Sequence, residues 1–429
     1  MSPGAAPTST PLRGRCRVPG DKAISHRAAL LALRARGRTR IRGFSPAGDC
    51  AATLEVVRRL GAQMHGAPAG VLEITPGTPR PGTTALDCGR SGTTMRLTAG
   101  LVAPDPGVVE LSGAAQLLRR PMERVAAPLR LMGAWVQTAP GGLPPLRIEG
   151  GRLRGISYLP EVASAQVKSA MLLAGLGAEG PTSVSETVPT RDHTERLLQA
   201  MGADLEVRDG AQGRTATVRP GSELLPLHLE VPADASSAAV LAAAAALVPG
   251  SDVVLEQVSV NPGRTGFLEV LREMGAEVDI EPRSPDSAPE PWADVRVRHA
   301  PLKALRIERD QVPALIDELP LLGLLATCAE GESLVRGASE LRVKESDRIA
   351  GLVRGLQALG ADCEELPDGF VVRGPTRLGG GVCDAMGDHR LAMAFHLAGL
   401  RSQGKVHVLG LEFADDSFPG FLTRLGGLM

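Results

Sequence analysis

Lys22, Ser25, His26 and Arg27 crowd into PGDKAISHRA (19–28), where a Pro-Gly turn runs into an apolar stretch that reads as a helix through Ala28–Leu33. Cations at a helix N-terminus reinforce its unpaired amides and make an anion site; a solvated basic helix start would carry the same residues. In DCGRSGTTMRL (87–97), Gly89, Ser91 and Gly92 let backbone approach a ligand, two threonines offer hydroxyls, and Arg96 follows one turn into a helix. That turn has neither P-loop nor dinucleotide spacing, so an ordinary loop fits it as well. LLRRPMERV (117–125) sets Arg119, Arg120 and Arg124 around a proline, and paired forks suit carboxylate or phosphate. VASAQVKSA (162–170) presents Ser164, Gln166, Lys168 and Ser169 ahead of an apolar helix expected at Ala170–Leu176, and PTRDHTERL (189–197) repeats the pattern with Thr190 as its cap. Such starts bind phosphate, and plain N-capping uses the same residue types.

Three further patches mix acids with cations: IDELP (316–320), LRVKESDRI (341–349) and GDHRLAM (387–393). Lys344 and Arg348 are four apart, which on a helix puts them on one face, as it does Glu345 and Ile349. An exposed, salt-bridged helix would look alike, and Asp388-His389-Arg390 would also serve as a helix cap. Together the patches aim many cations and a few acids at a small polyanion. None has metal-ligand spacing, no Ser-His-Asp order is visible, and 2% aromatic residues leave no stacking platform for bases. Lysine is rare. Five (22, 168, 303, 344, 405) stand among 47 Lys and Arg residues, and three of the five fall in these patches. Lysine is a compact point charge with a tunable pKa and arginine a permanently charged fork, so a chain this rich in arginine keeps lysine where a fork will not serve.

The elements that must position these residues come in copies. RRLGAQM (58–64), RLMGAWV (130–136), QAMGADLEV (199–207), REMGAEVDI (272–280), QALGADCEE (357–365) and a truncated TRLGGLM (423–429) share a helix end, a glycine and a strand-like run. The glycines at 61, 133, 202, 275, 360 and 426 are 72, 69, 73, 85 and 66 residues apart, well beyond the roughly 20–50 of solenoids and propellers. Each unit therefore holds several strands and two helices, with glycine at the left-handed C′ position. Loops are expected at 140–145, 208–214 and 281–291, the last accounting for the longest interval. The main crossover is expected at 231–235, ahead of the Ala-rich helix Ser236–Leu247, with Asp234 or Ser236 as its cap. The N-terminal strand, roughly 11–19, is expected to complete the truncated sixth repeat.

At 429 residues the chain implies two or three domains. With 43% hydrophobic residues it can form a large core, and 47 positive against 48 negative residues argue against charge-driven nucleic-acid binding. Six cysteines without CxxC read as reduced thiols, MSPGAAPTST has no apolar signal-like core, and Ala238–Val248 is too short to span a bilayer. These readings point to a soluble cytoplasmic protein.

In order across residues 12–420, PGDKAISHRA, DCGRSGTTMRL, RRPM, SAQVKSAML, RDHTERLL, DELP, LRVKESDRI and GDHRLAM resemble the 5-enolpyruvylshikimate-3-phosphate synthase family, in its bacterial GDK-ISHR/KESDR subtype. The resemblance implies an α/β enolpyruvyl transferase fold, like an inside-out barrel, of two domains with three βαβαββ repeats each. One domain would be 21–234 and the other 1–20 with 235–429, the active site lying in the cleft between them. The implied reaction adds the 5-hydroxyl of shikimate 3-phosphate to C2 of phosphoenolpyruvate and expels phosphate, and members are glyphosate targets. By motif position, Glu345 would protonate the enol methylene, Asp317 would act as base at the hydroxyl, and Lys22 would touch both substrates and assist phosphate departure. Phosphoenolpyruvate would meet Lys22, Gly92, Arg120, Gln166, Arg348 and Arg390. Shikimate 3-phosphate would meet Lys22, Ala23, Arg27, Ser164, Ala165, Gln166, Thr190, Asp317 and Lys344. Neither metal nor organic cofactor is implied, nor nucleic acid or membrane, and a monomer is expected.

Three positions depart from the family pattern: Ala23 where serine is usual, Arg90 where asparagine is usual, and Asp416 where some members carry lysine. They bear on affinity more than on reaction type. The sister enzyme UDP-N-acetylglucosamine 1-carboxyvinyltransferase normally has a reactive cysteine or aspartate on a loop of its second repeat, and residues 113–124 here contain neither. A non-catalytic protein on the same fold would have no reason to keep Lys22, Asp317 and Glu345 together.

Overall fold

The structure, a computed structural model, describes residues 10–67, 70–77, 83–211 and 213–429; except for Thr10, the MSPGAAPTST stretch lies outside them. The chain forms two compact units: Gly20–Val231, and Pro232–Met429 with the described part of Met1–Pro19. The second boundary falls three residues before the expected 234. Ala233 N–H donates to Gln257 O and Asp234 N–H to Pro19 O, each at 2.8 Å, which ties both residues to the second unit.

The first unit contains α1 (Lys22–Leu31), α2 (Gly48–Arg59), α3 (Gly92–Val102), α4 (Glu123–Met132), α5 (Ala165–Gly175) and α6 (His193–Ala200). The second contains α7 (Ala235–Leu247), α8 (Gly266–Glu273), α9 (Val312–Leu315), α10 (Leu319–Ala326), α11 (Arg348–Ala358), α12 (His389–Ala398) and α13 (Phe421–Gly426). The repeat is plainest around α3. Thr83–Asp87 runs parallel to Gly107–Ser112, with α3 between them in sequence. After α4, the hairpin Trp135–Ala139 and Leu143–Gly150 joins the same sheet antiparallel. This βαβαββ recipe recurs in four more four-stranded sheets, while Gly381–Asp384 and Val406–Leu409 form only the parallel pair. Much of the stretch 208–214 is strand rather than loop. Leu205–Gly210 and Gly213–Val218 pair through it as a hairpin.

The N-terminal strand does not complete the sixth repeat. Arg13–Cys16 pairs parallel with Asp252–Leu255, the first sheet of the second unit. Leu12 N–H donates to Ser251 Oγ and Asp252 N–H to Leu12 O, which fixes that register. His228–Glu230 plays the same part for Thr39–Arg42 in the first unit. An inner strand pairs on both edges, so the sheet opened by each unit's first helix still needs an outer strand from elsewhere in the chain.

Helices sort into two kinds. In α2, α4, α6, α8 and α11 one side is buried, whereas α1, α3, α5, α7, α10 and α12 are buried along almost their whole length. A polar side chain left mid-helix in the buried set without a partner is costly, and Thr98 of α3, whose hydroxyl has none among the described residues, is an exception. Most of their other buried polar residues gather toward the N-terminal ends: Ser25, His26 and Arg27, Thr94 and Arg96, Lys168 and Ser169, Ser236 and Ser237, His389 and Arg390. Asp234 is the cap of α7, its Oδ1 accepting from Ser237 N–H, while the Ser236 hydroxyl donates to Glu318. Among the described residues no helix is long and apolar enough to cross a membrane. All six cysteines are free thiols.

Arginine abundance has a place in this plan. On exposed sheet faces one guanidinium often spans acids on neighbouring strands: Arg373 meets Glu332, Asp362 and Glu364, and Arg298 meets Glu277 and Asp279. Such exposed pairs are worth at most about 1 kcal/mol each, and a fork can serve two partners where an ammonium is a point.

The repeated glycine works as its spacing implies in five copies. Gly61, Gly133, Gly202, Gly275 and Gly360 have φ of +107°, +109°, +79°, +108° and +86°. The alanine after each donates back to the helix: Ala62 to Val57 O, Ala134 to Leu129 O, Ala203 to Leu198 O, Ala276 to Leu271 O and Ala361 to Leu356 O. That six-to-one bond defines a Schellman cap. Gly426 instead ends α13 without a left-handed φ. A Cβ meets nothing within 4 Å at either Gly360 or Gly426, so the two differ only in backbone. Gly360→Ala should lose about 1–2 kcal/mol to left-handed strain, whereas Gly426→Ala should be neutral or gain up to about 1 kcal/mol. Urea unfolding of the two variants checks this, and equal midpoints would refute it.

Candidate active site

In the first unit, Asp21 Oδ1 accepts from Ile24 N–H and starts α1, which puts Lys22 at the first helical position. Lys22 Nζ lies 2.8 Å from Asp49 Oδ2 at the first turn of α2 and keeps some solvent exposure. One turn on, buried Arg27 donates to Thr194 Oγ1 and Ser169 Oγ, both at 2.8 Å, and to Ala23 O at 2.9 Å. Beneath them His26 Nδ1 is 2.6 Å from Thr53 Oγ1, which is 2.6 Å from Thr94 Oγ1, so α1, α2 and α3 are stitched together by a buried polar chain. Burial pushes the His26 imidazole down to about 3, with Lys22 and Arg27 working the same way and Asp49 opposing. It is a neutral ring.

Ser91 caps α3 through Thr94 N–H, and the helix opens at Gly92. A Cβ on Gly92 would stand 2.7 Å from Arg120 Nη1 and 2.9 Å from Arg96 Nη1. Two largely buried guanidinium groups thus converge on a helix N-terminus, an arrangement that repels itself and attracts an anion. Arg96 is held by Gln166 Oε1 at 2.6 Å and Pro121 O at 2.9 Å, and Gln166 Nε2 donates to Thr93 Oγ1 at 2.8 Å. Arg90 is drawn aside: its Nε and Nη2 both donate to Gln116 Oε1, at 2.9 and 2.7 Å.

In the second unit, Arg348 opens α11 with 2% of its side chain exposed and gathers three carboxylates. Its Nε lies 2.8 Å from Asp388 Oδ2, its Nη2 2.6 Å from Glu345 Oε2, and its Nη1 3.4 Å from Asp317 Oδ1. Burial works to lower the guanidinium pKa, but Asp388, Glu345 and Asp317 outweigh it and hold the group above its ordinary value. Removing one partner from a buried ion cluster typically costs about 3–5 kcal/mol. Asp388 also caps α12, accepting from Arg390 N–H at 2.8 Å, while Ser346 Oγ donates to its other oxygen at 3.1 Å. The Arg390 side chain is largely buried, and its Nε has no hydrogen-bond partner among the described residues. A buried, unsatisfied cationic donor is set up to receive an anion.

Residues 7–425 match the model of the EPSP synthase (3-phosphoshikimate 1-carboxyvinyltransferase) family. The chain belongs to that family. It is 47% identical over 421 residues to the 3-phosphoshikimate 1-carboxyvinyltransferase of Desulforudis audaxviator, covering 97% of each chain, and 48% identical to that of Methylococcus capsulatus, covering 97% and 95%. EPSP synthase from Acinetobacter baumannii superposes with a TM-score of 0.85 at 42% identity, over 99% of this chain and 97% of that one. The enolpyruvyl transferase NikO of Streptomyces tendae shares the fold, with a TM-score of 0.78 at 18% identity over 99% and 96% of the two chains.

Gly92, Arg120 and Gln166, three of the family motif positions, come together in the first unit. Asp317, Glu345 and Arg348 do so in the second, with Arg390 joined through Asp388. Other positions differ from their local expectations. Helix α5 starts at Ala165 rather than 170 because Ser164 Oγ accepts from Val167 N–H, so Gln166, Lys168 and Ser169 sit within its first turns. Thr190 is not the cap of α6; its hydroxyl donates to Glu186, and Asp192 occupies the cap position. Lys344 and Arg348 do not share a helix face, because Asp347 accepts from Ala350 N–H and α11 begins only at Arg348. The sequence singled out neither Asp49, which meets Lys22, nor Glu186 and Glu195, which meet Lys168. Their one signal is that a rare lysine kept in an arginine-rich chain needs an acid, and the acid's position is set by the fold.

A base depressed to about 3 from 6.5 leaves the unfolded chain binding one more proton between those values. Its contribution to stability is complete above 6.5 and drains away as pH falls through that window. Below pH 6 the wild type should therefore lose stability more steeply than His26→Asn, by about 1.4 kcal/mol per pH unit. Urea unfolding at a series of pH values measures both slopes; parallel slopes would contradict a neutral buried imidazole.

Proposed function

We propose that this protein transfers the enolpyruvyl group of phosphoenolpyruvate to the 5-hydroxyl of shikimate 3-phosphate and releases inorganic phosphate, a step in aromatic amino acid biosynthesis, as a monomer in the cytoplasm. Membership of the family over nearly the whole chain carries the reading. The ion cluster on Arg348 supports the assignment of roles, since it groups the two acids the chemistry needs.

Glu345 gives a proton to the methylene carbon of phosphoenolpyruvate, which makes C2 electrophilic. Asp317 takes the proton of the 5-hydroxyl as its oxygen bonds to C2. Glu345 then takes a proton back from the new methyl group, the double bond re-forms, and the C2–O bond to phosphate breaks. Arg348 holds both acids in one cluster. The guanidinium pair at Gly92, with Gln166, binds phosphoenolpyruvate, and Arg390 presents a further cation to the same substrate. Lys22 contacts both substrates and stabilises the departing phosphate, while Arg27, Ala23, Lys344 and the α5 start line the shikimate moiety.

A coupled assay of phosphate release tests the reading. Release should require both substrates, and Glu345→Gln should abolish turnover while leaving substrate dissociation constants nearly unchanged. Phosphate release that requires UDP-N-acetylglucosamine instead, or none with either acceptor, would overturn it. Ala23 stands where a serine hydroxyl is usual, so Ala23→Ser should restore a hydrogen bond of about 0.5–1.5 kcal/mol. That lowers the KM for shikimate 3-phosphate by roughly 3- to 10-fold and leaves the KM for phosphoenolpyruvate alone.

Glyphosate should compete with phosphoenolpyruvate. In Gly92→Ala the new methyl would press on Arg120 and Arg96. The inhibition constant should rise at least tenfold, about 1.4 kcal/mol, before turnover is lost. A variant whose inhibition constant does not move would remove Gly92 from the site.

A further inference from the structure

Lys168 is one of the five lysines, and nothing in the reaction uses it. It lies inside α5 with 1% of its side chain exposed, 2.7 Å from Glu186 Oε2 and 2.7 Å from Glu195 Oε1, each 2% exposed. Burial works against its charge, but Glu195 and Glu186 raise its pKa above the ordinary value. Burial also raises the Glu195 carboxyl, with Lys168 opposing that rise.

Stability does not account for such a cluster. Apolar residues of similar volume are often as stable as a buried ion pair or more so. What the pair holds does account for it. Glu186 accepts the Thr190 hydroxyl at one oxygen and Thr190 N–H at the other, 3.3 Å away, while Lys168 Nζ reaches Thr190 O at 3.4 Å. Every polar atom of Thr190 is gripped by this pair. The residue stands between Glu186, the last of its strand, and Asp192 at the start of α6. It is followed by Arg191, and Thr190 is among the positions expected to meet shikimate 3-phosphate.

We propose that Lys168 and Glu186 are positioning residues for shikimate 3-phosphate: the buried pair fixes Thr190, and with it the Thr190–Arg191 segment, in the geometry that receives the phosphate. Arginine would not serve, because a planar fork cannot meet two carboxylates and a backbone carbonyl from one point. The proposal rests on the enolpyruvyl-transfer reading, and the test separates the two.

The comparison is Glu186→Gln against Glu195→Gln. Each leaves Lys168 one carboxylate and a neutral cluster, so both should fold, but only Glu186 touches Thr190. Calorimetric titration of wild type with shikimate 3-phosphate alone comes first; no binding there overturns the functional reading itself. With binding established, Glu186→Gln should weaken it roughly tenfold and raise the corresponding KM alike, with the KM for phosphoenolpyruvate and kcat within about twofold. Glu195→Gln should leave the dissociation constant within about twofold. Lys168→Met should reproduce the Glu186→Gln split between substrates; if it fails to fold, the two glutamate variants still decide. Equal effects of the two glutamate variants, an unchanged dissociation constant in Glu186→Gln, or a matching loss for phosphoenolpyruvate would make the cluster merely structural and overturn the proposal.

Discussion

A helix buried on every side keeps polar side chains cheaply only near its ends, and that constraint organises this protein. Leucine and alanine fill the bodies of α1, α3, α5, α7, α10 and α12, so each such helix is pinned by the hydrophobic effect. Its first turn then becomes a rigid mount with free amides and a positive dipole end. Such mounts carry Lys22 and Ala23 on α1, Gly92 on α3, Ala165 and Gln166 on α5 and Arg390 on α12. The repeat that produces them needs no knowledge of the chemistry; substitutions confined to first turns change the chemistry without touching the core.

Two buried ion clusters near helix starts use their cations in opposite ways. Around Arg348 one fork meets three carboxylates along three different directions, and two of those acids are the ones proposed to move protons. Around Lys168 a point charge meets two carboxylates, neither assigned to a substrate, and the carbonyl of Thr190. The geometry of the cation matches the task in each case. A fork spreads acids apart and orients them; an ammonium draws its partners to one point and locks a loop.

Much of this was legible in the sequence, unevenly. Repeat number and the left-handed glycines followed from spacing, because a Schellman cap depends on local backbone alone. Caps such as Asp234 and Asp388 were readable for the same reason. Helix starts failed where a capping side chain lay outside the apolar run: Ser164 begins α5 five residues early, and Asp347 delays α11 until Arg348. Long-range pairings were beyond reach. Nothing local marks Arg13–Cys16 as a partner of Asp252–Leu255 rather than of the last repeat, and nothing near Lys168 announces Glu186. Spacing alone leads to a site for a small polyanion and stops there; the reaction is legible only in the residue order of the motifs.

The strand Arg13–Cys16 also imposes an order of events on synthesis. Leu12 and Ser251, its first hydrogen-bonded contact with the next sheet strand, are 239 residues apart. At roughly 5–20 residues per second, the nascent strand waits on the order of 10–50 s for its partner to emerge from the ribosome. Meanwhile Gly20–Val231 is contiguous and brings its own closing strand, His228–Glu230, so it can finish first. For that interval the chain carries a folded unit and, just ahead of it, a short strand with its edges unpaired. Gly14 and the exposed arginines 13 and 15 make that strand a poor template for other chains while it waits.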